Sequence, residues 1–281
     1  MAIQVEPLAG VGAEITGVDL ARGVAEDEFA LMRAAYAEHG VIFFREQSID
    51  EAQHIAFARR WAPININRFL SPHPEFPEIA VLSKEPDDTE NIGGAWHTDH
   101  SYDAIPAMGS MLVARQLPPR GGNTLFASMY AAYDALSDAM KRRLAPLKAV
   151  HSARHIFGKG ALYSGARAGR IANSDAAEAL TDSMHPVVIT HPLSGKKAIF
   201  VNFAYTIRIE GLPEADSSAL LAELYAHCLN PDFACEFVWR PGSIAFWDNR
   251  STWHYAKNDY QGHRRVMHRI TLEGQPLHGA H

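Results

Sequence analysis

The sequence predicts an α+β protein: a β-sandwich or jelly-roll core with flanking helices and a lid-like insertion. Three observations carry that prediction. Short runs of strand character recur along the 281 residues. They do not alternate regularly with helical segments, as a doubly wound parallel sheet would require. No G-x-G-x-x-G, P-loop or G-x-S-x-G motif argues for a nucleotide-binding or hydrolase fold. A composition of 47% hydrophobic and 21% charged residues excludes a disordered or collagen-like chain. A chain of this length can bury a sizeable core, and residues 1–281 are read as one domain.

Taken in order, AEITGVDL (13–20) reads as a short strand with a turn signal. Asp27–Glu38 places Phe29, Leu31, Met32, Ala35 and Tyr36 at helical spacing, and Gly40 follows as a stop. VIFF (41–44) is a buried strand. Asp50 caps a second amphipathic helix over Glu51–Trp61, with Ile55, Phe57 and Ala58 on one face. Strands are expected at Ile79–Leu82 and Met108–Ala114, separated by a polar Gly-containing loop (84–95) that leads into Trp96. PPRGG (118–122) turns the chain into Thr124–Phe126, and Met129–Leu144 is helical. The Gly/Ala/Ser-rich stretch 152–181 has weak periodicity and reads as the lid-like insertion. Strands at Pro186–Thr190 and Ala198–Asn202, a helix at Glu214–Cys228, and strands at Asp232–Arg240, Ser243–Trp247 and Val266–Leu272 complete the chain.

Charge and cysteine content narrow the function classes. The formal net charge is −6, so no global electrostatic case exists for nucleic acid, and no recognition motif supports one. Only Cys228 and Cys235 occur, outside any CxxC spacing, and both read as packing residues in a reduced chain. No basic segment followed by an apolar run opens the sequence, and no apolar stretch reaches bilayer-spanning length. A cytoplasmic location, with no membrane partner, is the expectation. Histidine is the unusual component at 15 residues, and imidazole is the commonest metal ligand.

His97 and Asp99, in AWHTDHSY, and His254, in WDNRSTWHYAKNDY, are the candidate metal ligands. In an extended segment, residues i and i+2 project to one face, so His97 and Asp99 can meet the same ion. A second histidine from a distant strand completes a 2-His-1-carboxylate facial triad, the arrangement suited to Fe(II) and dioxygen. H-x-D alone is weak evidence, since about one occurrence is expected by chance in this composition. A similar pattern at His73–Pro74–Glu75 sits among prolines and reads as a surface turn. Further on, Arg265, Met267 and Arg269 share one face by strand periodicity. Guanidinium groups aimed into a core need an anionic partner, and a dicarboxylate supplies one through paired hydrogen bonds. The alternative is a basic surface strand paired with nearby carboxylates.

With these residues the chain resembles the Fe(II)/2-oxoglutarate-dependent dioxygenases of the taurine dioxygenase and phenoxyalkanoate (2,4-D, dichlorprop) dioxygenase group. The resemblance runs from GAEITGVDL (12–20) to the C-terminus. Its most specific segments are WHTD (96–99), PPRGGNTLF (118–126), HPLSGKKAIFVN (191–202) and WDNRSTWHYAKNDYQGHRRVMHR (247–269), in that order. It implies a double-stranded β-helix, with Fe(II) on His97, Asp99 and His254. Thr124 and Arg265 would hold the far carboxylate of 2-oxoglutarate, and Arg269 would meet the anionic group of the primary substrate. The implied reaction uses O2, releases succinate and CO2, and hydroxylates a substrate C–H. Members are commonly homo-oligomers, which implies a dimer or tetramer.

The same resemblance also marks departures. Asn67 stands where taurine dioxygenases carry a sulfonate-binding histidine, and Gly93 where they carry an asparagine, which argues against taurine itself. Phe69, Tyr102, Phe157 and Tyr205 align with or lie beside apolar pocket positions, where ordinary core packing is the competing reading. Sulfonates, alkyl sulfates and aryloxyalkanoates all remain open as the small anionic substrate. A different function class also stays open: a non-oxygenase, cupin-like metal-binding protein or a zinc hydrolase using the same ligands. The paired Arg265/Arg269 face tells against that class.

Overall fold

The computed structural model describes residues 2–158 and 181–280. Its largest sheet has eight strands: β1 (Gln4–Pro7), β2 (Ala13–Thr16), β3 (Val41–Phe44), β4 (Ile64–Asn65), β5 (Ala80–Lys84), β6 (Gly109–Gln116), β14 (Ile244–Asp248) and β16 (Arg265–Leu272). They are ordered β1-β2-β3-β14-β6-β16-β4, with β5 also on β16. Its pairings are antiparallel except for β2 with β3.

The unbroken apolar run VIFF is explained by burial on both faces of this sheet. Ile42 and Phe44 join one core with Met111, Val113, Ile244, Phe246, Ile270 and Leu272. Val41 and Phe43 join the opposite one with Leu112, Ala245, Trp247 and Met267. Successive residues of a strand point to opposite faces, so a strand covered on both sides loses its polar alternation.

The first face is covered by α1 (Glu26–His39) and α2 (Glu51–Arg59). Acidic Glu26, Asp27 and Glu28 occupy the first turn of α1, where they complement the helix dipole. Gly40 ends it in the left-handed region at φ 74°, returning its N–H to the Tyr36 carbonyl. Leu31, expected on the buried face, is 49% exposed, because Phe29, Met32, Ala35 and Tyr36 define the stripe that meets the sheet. Asp50 and Gln53 form a capping box on α2. That helix stops at Arg59 rather than Trp61, and the Trp61 ring packs on Phe29, Tyr36 and Phe246.

The second face meets a three-stranded sheet, β13 (Ala234–Phe237), β7 (Thr124–Ser128) and β15 (Thr252–Ala256), ordered β13-β7-β15. Phe126 and Phe237 fill the space between the two sheets. Beyond them lie β8 (Lys148–His151), β9 (Ser183–Pro186) and β12 (Thr206–Ile209) in one small sheet, and β10 (Val188–Thr190), β11 (Lys197–Ile199) and β17 (His278–Gly279) in another. Helices α3 (Met129–Asp134), α4 (Asp138–Leu144) and α6 (Glu214–Cys228) pack there around Val188, Ile199, Leu220, Leu224 and Trp253.

The single helix expected over Met129–Leu144 is two helices. Ser137 accepts from the Met140 N–H and starts α4 afresh, so its hydroxyl acts as a cap rather than an interior residue. The strand expected from Asp232 begins at Ala234, because Pro231 opens a 3-10 turn capped by Asn230. Likewise the strand expected over Ala198–Asn202 is the shorter β11. Of the expected lid-like insertion at 152–181, residues 159–180 lie outside the described residues. Its start holds α5 (Arg154–Phe157), which buries Phe157. Cys228 is buried in the core around α6 and Cys235 is partly buried, and both are free thiols.

Candidate active site

His97 and His254 are brought together by their backbones. The two residues form an isolated antiparallel bridge, with His97 N donating to His254 O at 3.1 Å and His254 N to His97 O at 2.8 Å. The imidazoles therefore lie side by side, 4.0 Å between centroids. Asp99 follows in a turn, not in a continued strand, and still meets both rings. Its Oδ1 is 3.6 Å from His97 Nε2 and its Oδ2 is 3.8 Å from His254 Nε2. One ligand atom from each residue lies within 4.8 Å of the others, and all three residues are buried.

The hydrogen bonds prepare these groups to face a cation. His97 Nδ1 donates to the Ala95 carbonyl at 2.7 Å, which leaves the Nε2 lone pair facing Asp99. Burial, reinforced by neighbouring His97, pushes His254 well below the usual imidazole range, which favours its neutral form. Burial alone would raise Asp99, but Arg269 and then the two histidines outweigh it and hold the carboxyl well below its usual range. Two imidazoles and a carboxylate converging in a buried space fit a divalent first-row metal. Ser110 Oγ donates to Asp99 Oδ2 at 3.0 Å, and Asn249 Nδ2 donates to Ser110 Oγ at 3.4 Å. The Thr98 hydroxyl bonds the Asn249 carbonyl, tying the turn at 248–251 to the segment that carries His97 and Asp99.

Beside the triad lies a second polar corner of the cavity, formed by Arg265 and Thr124. Arg265 is 8% exposed, and its Nε and Nη2 have no partner among the described residues. Its guanidinium carbon stands 5.8 Å from the Trp239 ring and 6.0 Å from the Tyr260 ring. Thr124 Oγ1 accepts from the Trp239 indole N–H at 3.0 Å, so its own hydroxyl proton remains free to donate. Both residues line the same cavity as His97, Asp99 and His254. An unpaired buried guanidinium is costly, and a dicarboxylate reaching from the metal to this corner would satisfy it.

Arg269 lies on the same cavity wall but is not free. Its Nη1 donates to both oxygens of Asp99, at 3.2 and 3.1 Å, while Nε has no partner among the described residues. Period-two spacing places Arg265 and Arg269 together despite an irregular register between Val266 and Met267. The strand is buried, so the basic-surface alternative does not hold.

Apart from Asn67, the rest of the cavity wall is mainly apolar and aromatic. Tyr102, Phe157 and Tyr205 line it. Phe69 does not; it stacks behind Phe157 at 4.4 Å and belongs to the same buried cluster. Asn67 lines the cavity, its Oδ1 accepting from the N–H groups of Phe69 and Leu70. Gly93 also lines it, at φ 85°, where a side chain would be strained whatever its chemistry.

His73 makes the expected turn, its Nδ1 accepting from the N–H groups of Glu75 and Phe76. It also approaches Glu51 and His268 closely enough for three ligand atoms to fall within 4.8 Å. Arg115 already serves that group, donating to His268 Nδ1 at 3.1 Å and pairing with Glu51 at 3.4 Å. Sequence reasoning missed Trp239, Tyr260, Ser110 and Asn249. None stands in a ligand-like spacing: Ser110 touches Asp99, Asn249 touches Ser110 and Thr98, Trp239 touches Thr124, and Tyr260 lies beside Arg265.

Comparison with known proteins follows the same outline. The family model described as taurine catabolism dioxygenase TauD, TfdA family, matches residues 4–271. A protein of Acinetobacter baylyi named alkylsulfatase is 32% identical, over 99% of this chain and 87% of its own length. The alpha-ketoglutarate-dependent 2,4-dichlorophenoxyacetate dioxygenase of Cupriavidus pinatubonensis is also 32% identical, over 94% of each chain. The crystal structure of a taurine dioxygenase from Burkholderia xenovorans superposes with a TM-score of 0.83 at 31% identity, covering 99% of this chain and 93% of that one.

Proposed function

The chain belongs to the taurine catabolism dioxygenase TauD, TfdA family, and from that membership we propose the chemistry its cavity performs. It is a 2-oxoglutarate-dependent dioxygenase that hydroxylates a C–H of a small organic anion and converts the oxo acid to succinate and CO2. His97, Asp99 and His254 would hold Fe(II). Bound there, the metal supplies the redox chemistry that joins dioxygen, the 2-oxo acid and the substrate carbon. The protein's residues do the rest. Arg265 and the Thr124 hydroxyl fix the far carboxylate of 2-oxoglutarate, and Arg269 holds Asp99 while facing the substrate head. Tyr102, Phe157 and Tyr205 exclude water and orient the substrate carbon, with Phe69 bracing Phe157.

The observation that carries this reading is the buried Arg265, whose Nε and Nη2 have no partner among the described residues, opening on the same cavity as the three candidate ligands. A zinc hydrolase on the same ligands has no use for a second buried cation, so the dioxygenase reading stands over it. The aromatic wall, and the lack of any cavity-lining carboxylate besides Asp99 among the described residues, favour sulfonates, alkyl sulfates or aryloxyalkanoates over a zwitterion such as taurine. We infer further that the two facing sheets form a double-stranded β-helix in one domain, and that the enzyme works as a cytoplasmic homodimer or tetramer. No helix among the described residues is long and apolar enough to cross a membrane.

The test is anaerobic addition of Fe(II) and 2-oxoglutarate, followed by a succinate-release screen in air. A weak visible charge-transfer band, and succinate release stimulated by 2,4-dichlorophenoxyacetate, a 2-phenoxypropionate or an alkyl sulfate, are expected. A folded, iron-loaded sample without the band overturns the reading. Asp99→Ala should abolish coupled turnover, and full activity in that variant would refute the ligand assignment.

A further inference from the structure

One buried histidine beside the triad is left unexplained by metal or cosubstrate binding. His100 is 1% exposed and adopts φ 59°, one of two non-glycine residues with positive φ among the described residues. A side chain at such a φ is disfavoured, and strain of this kind collects where a side chain must be aimed. The aim here is specific. His100 Nδ1 lies 2.8 Å from Asp103 Oδ2, and Asp103 Oδ1 is held by Arg68 at 3.0 Å. On its other edge, His100 Nε2 lies 3.3 Å from Asn67 Nδ2.

The proton positions follow from the partners. Asn67 Oδ1 is engaged by two backbone N–H groups, at 2.9 Å each, so the amide cannot turn over without losing both. Its NH2 therefore faces His100, and an NH2 group only donates. His100 Nε2 must accept, which puts the imidazole proton on Nδ1, where the Asp103 carboxylate receives it. The second N–H of Asn67 is left for the cavity that Asn67 lines.

We propose that His100 is a positioning residue for substrate selection: held by Asp103, it takes one N–H of the Asn67 amide, whose oxygen the backbone already anchors, and so fixes the plane in which the other N–H is offered to the cavity. A group that can only donate at this position selects a head that can only accept, such as a carboxylate, sulfonate or sulfate oxygen, and leaves donor-bearing heads unpaired. The proposal rests on the cavity being the site of an anionic substrate. The relay Arg68–Asp103–His100–Asn67 leaves 2-oxoglutarate to Arg265 and Thr124, so it acts on the primary substrate alone.

The test has two arms. In the first, 15N NMR of the wild-type protein, with the His100 signals assigned by their loss in His100→Gln, should show Nδ1 protonated and Nε2 unprotonated. This arm needs no substrate, and protonated Nε2 overturns the proposal. In the second, Fe(II)-loaded enzyme is assayed with 2,4-dichlorophenoxyacetate, 2-phenoxypropionate and hexyl sulfate. His100→Leu should raise the KM of the accepted substrate about tenfold, the size of one lost hydrogen bond to a charged group. The kcat and the 2-oxoglutarate KM should move less than about threefold on the same scale. Asn67→Leu should match it, the double variant should add little, and His100→Gln, whose amide oxygen still accepts, should recover most of the loss. A fall in kcat at unchanged KM, or additive effects in the double variant, overturns it. Wild-type enzyme that makes no succinate with any probe defeats the dioxygenase reading instead, and the NMR arm still decides the state of His100.

Discussion

At the scale of single residues, the site separates the work of its two arginines more sharply than their spacing does. Arg265 has no anion to satisfy it among the described residues, and on the proposed reading its partner arrives with 2-oxoglutarate. Arg265→Ala should raise the 2-oxoglutarate KM by about thirtyfold or more, as removal of one side of a buried charge pair does. Thr124→Val removes one neutral donor and should raise it by about fivefold. Arg269 behaves differently because both oxygens of Asp99 already hold it. Arg269→Ala should weaken Fe(II) retention and lower kcat in addition to raising the substrate KM. A metal titration of that variant with wild-type affinity would show that the contact to Asp99 is incidental. His97, Asp99 and His254 were legible in the sequence as candidate ligands because the H-x-D spacing and the distant histidine fall, in order, within longer motifs. Trp239, which aims Thr124, was not, because a buried indole looks the same whether it packs or positions.

Elements show the same division between pattern and context. VIFF, the Asp50 cap and the Gly40 stop were readable because local sequence sets strand burial, helix start and helix end. The break between α3 and α4 turns on one serine choosing to cap. The pairing of β6 with β14, by contrast, rests on an approach no periodicity records. A Cβ on Gly109 would stand 2.1 Å from the Tyr36 hydroxyl and 2.5 Å from the Trp247 carbonyl. Gly109→Ala should therefore cost about 1–3 kcal/mol of stability in urea unfolding, the usual penalty for overpacking. Helix α2 carries a second hidden liability in His54, fully buried with neither ring nitrogen partnered among the described residues. Burial first, then Arg115 and His268, lower it to about 3, while Glu51 on the same helix faces Arg115 and His268 rather than His54 itself. The unfolded chain takes up a proton near pH 6.5 that the folded site refuses. Stability is thus fully present above that pH and falls as pH drops towards 3. From pH 7 to pH 5 the loss due to His54 is about 2 kcal/mol. His54→Leu should flatten the unfolding profile by that amount, and parallel profiles for the two proteins would refute the assignment.

Across the whole molecule, the two hydrophobic halves and the metal-ligand segment meet at one buried ionic knot. Asp248, at the end of β14, receives Arg250 Nε at 2.8 Å, Arg250 Nη2 at 2.6 Å and His191 Nε2 at 3.0 Å. Asp248 N bonds the Gly40 carbonyl at the end of α1, and Thr252 Oγ1 bonds the same oxygen. His191 follows β10 in the other half, and the intervening Asn249 holds Thr98 and Ser110 beside Asp99. Burial alone would raise Asp248, but Arg250 and His191 outweigh it and keep the carboxyl well below its usual range. Removing one partner leaves the other charge stranded, so Asp248→Ala should cost about 3–5 kcal/mol of unfolding free energy. Replacing both, as Asp248→Leu with Arg250→Met, exchanges two desolvated charges for apolar contact and should recover most of that loss. The two outcomes diverge for function. Asp248 Oδ1 also takes the Arg250 backbone N–H at 2.9 Å and so shapes the turn that carries Asn249. The double variant should regain stability while its Fe(II) affinity and turnover stay depressed. Unfolding curves and metal titrations on the same samples decide this. Recovery of both together would mean the knot stabilises the molecule without positioning Asp99.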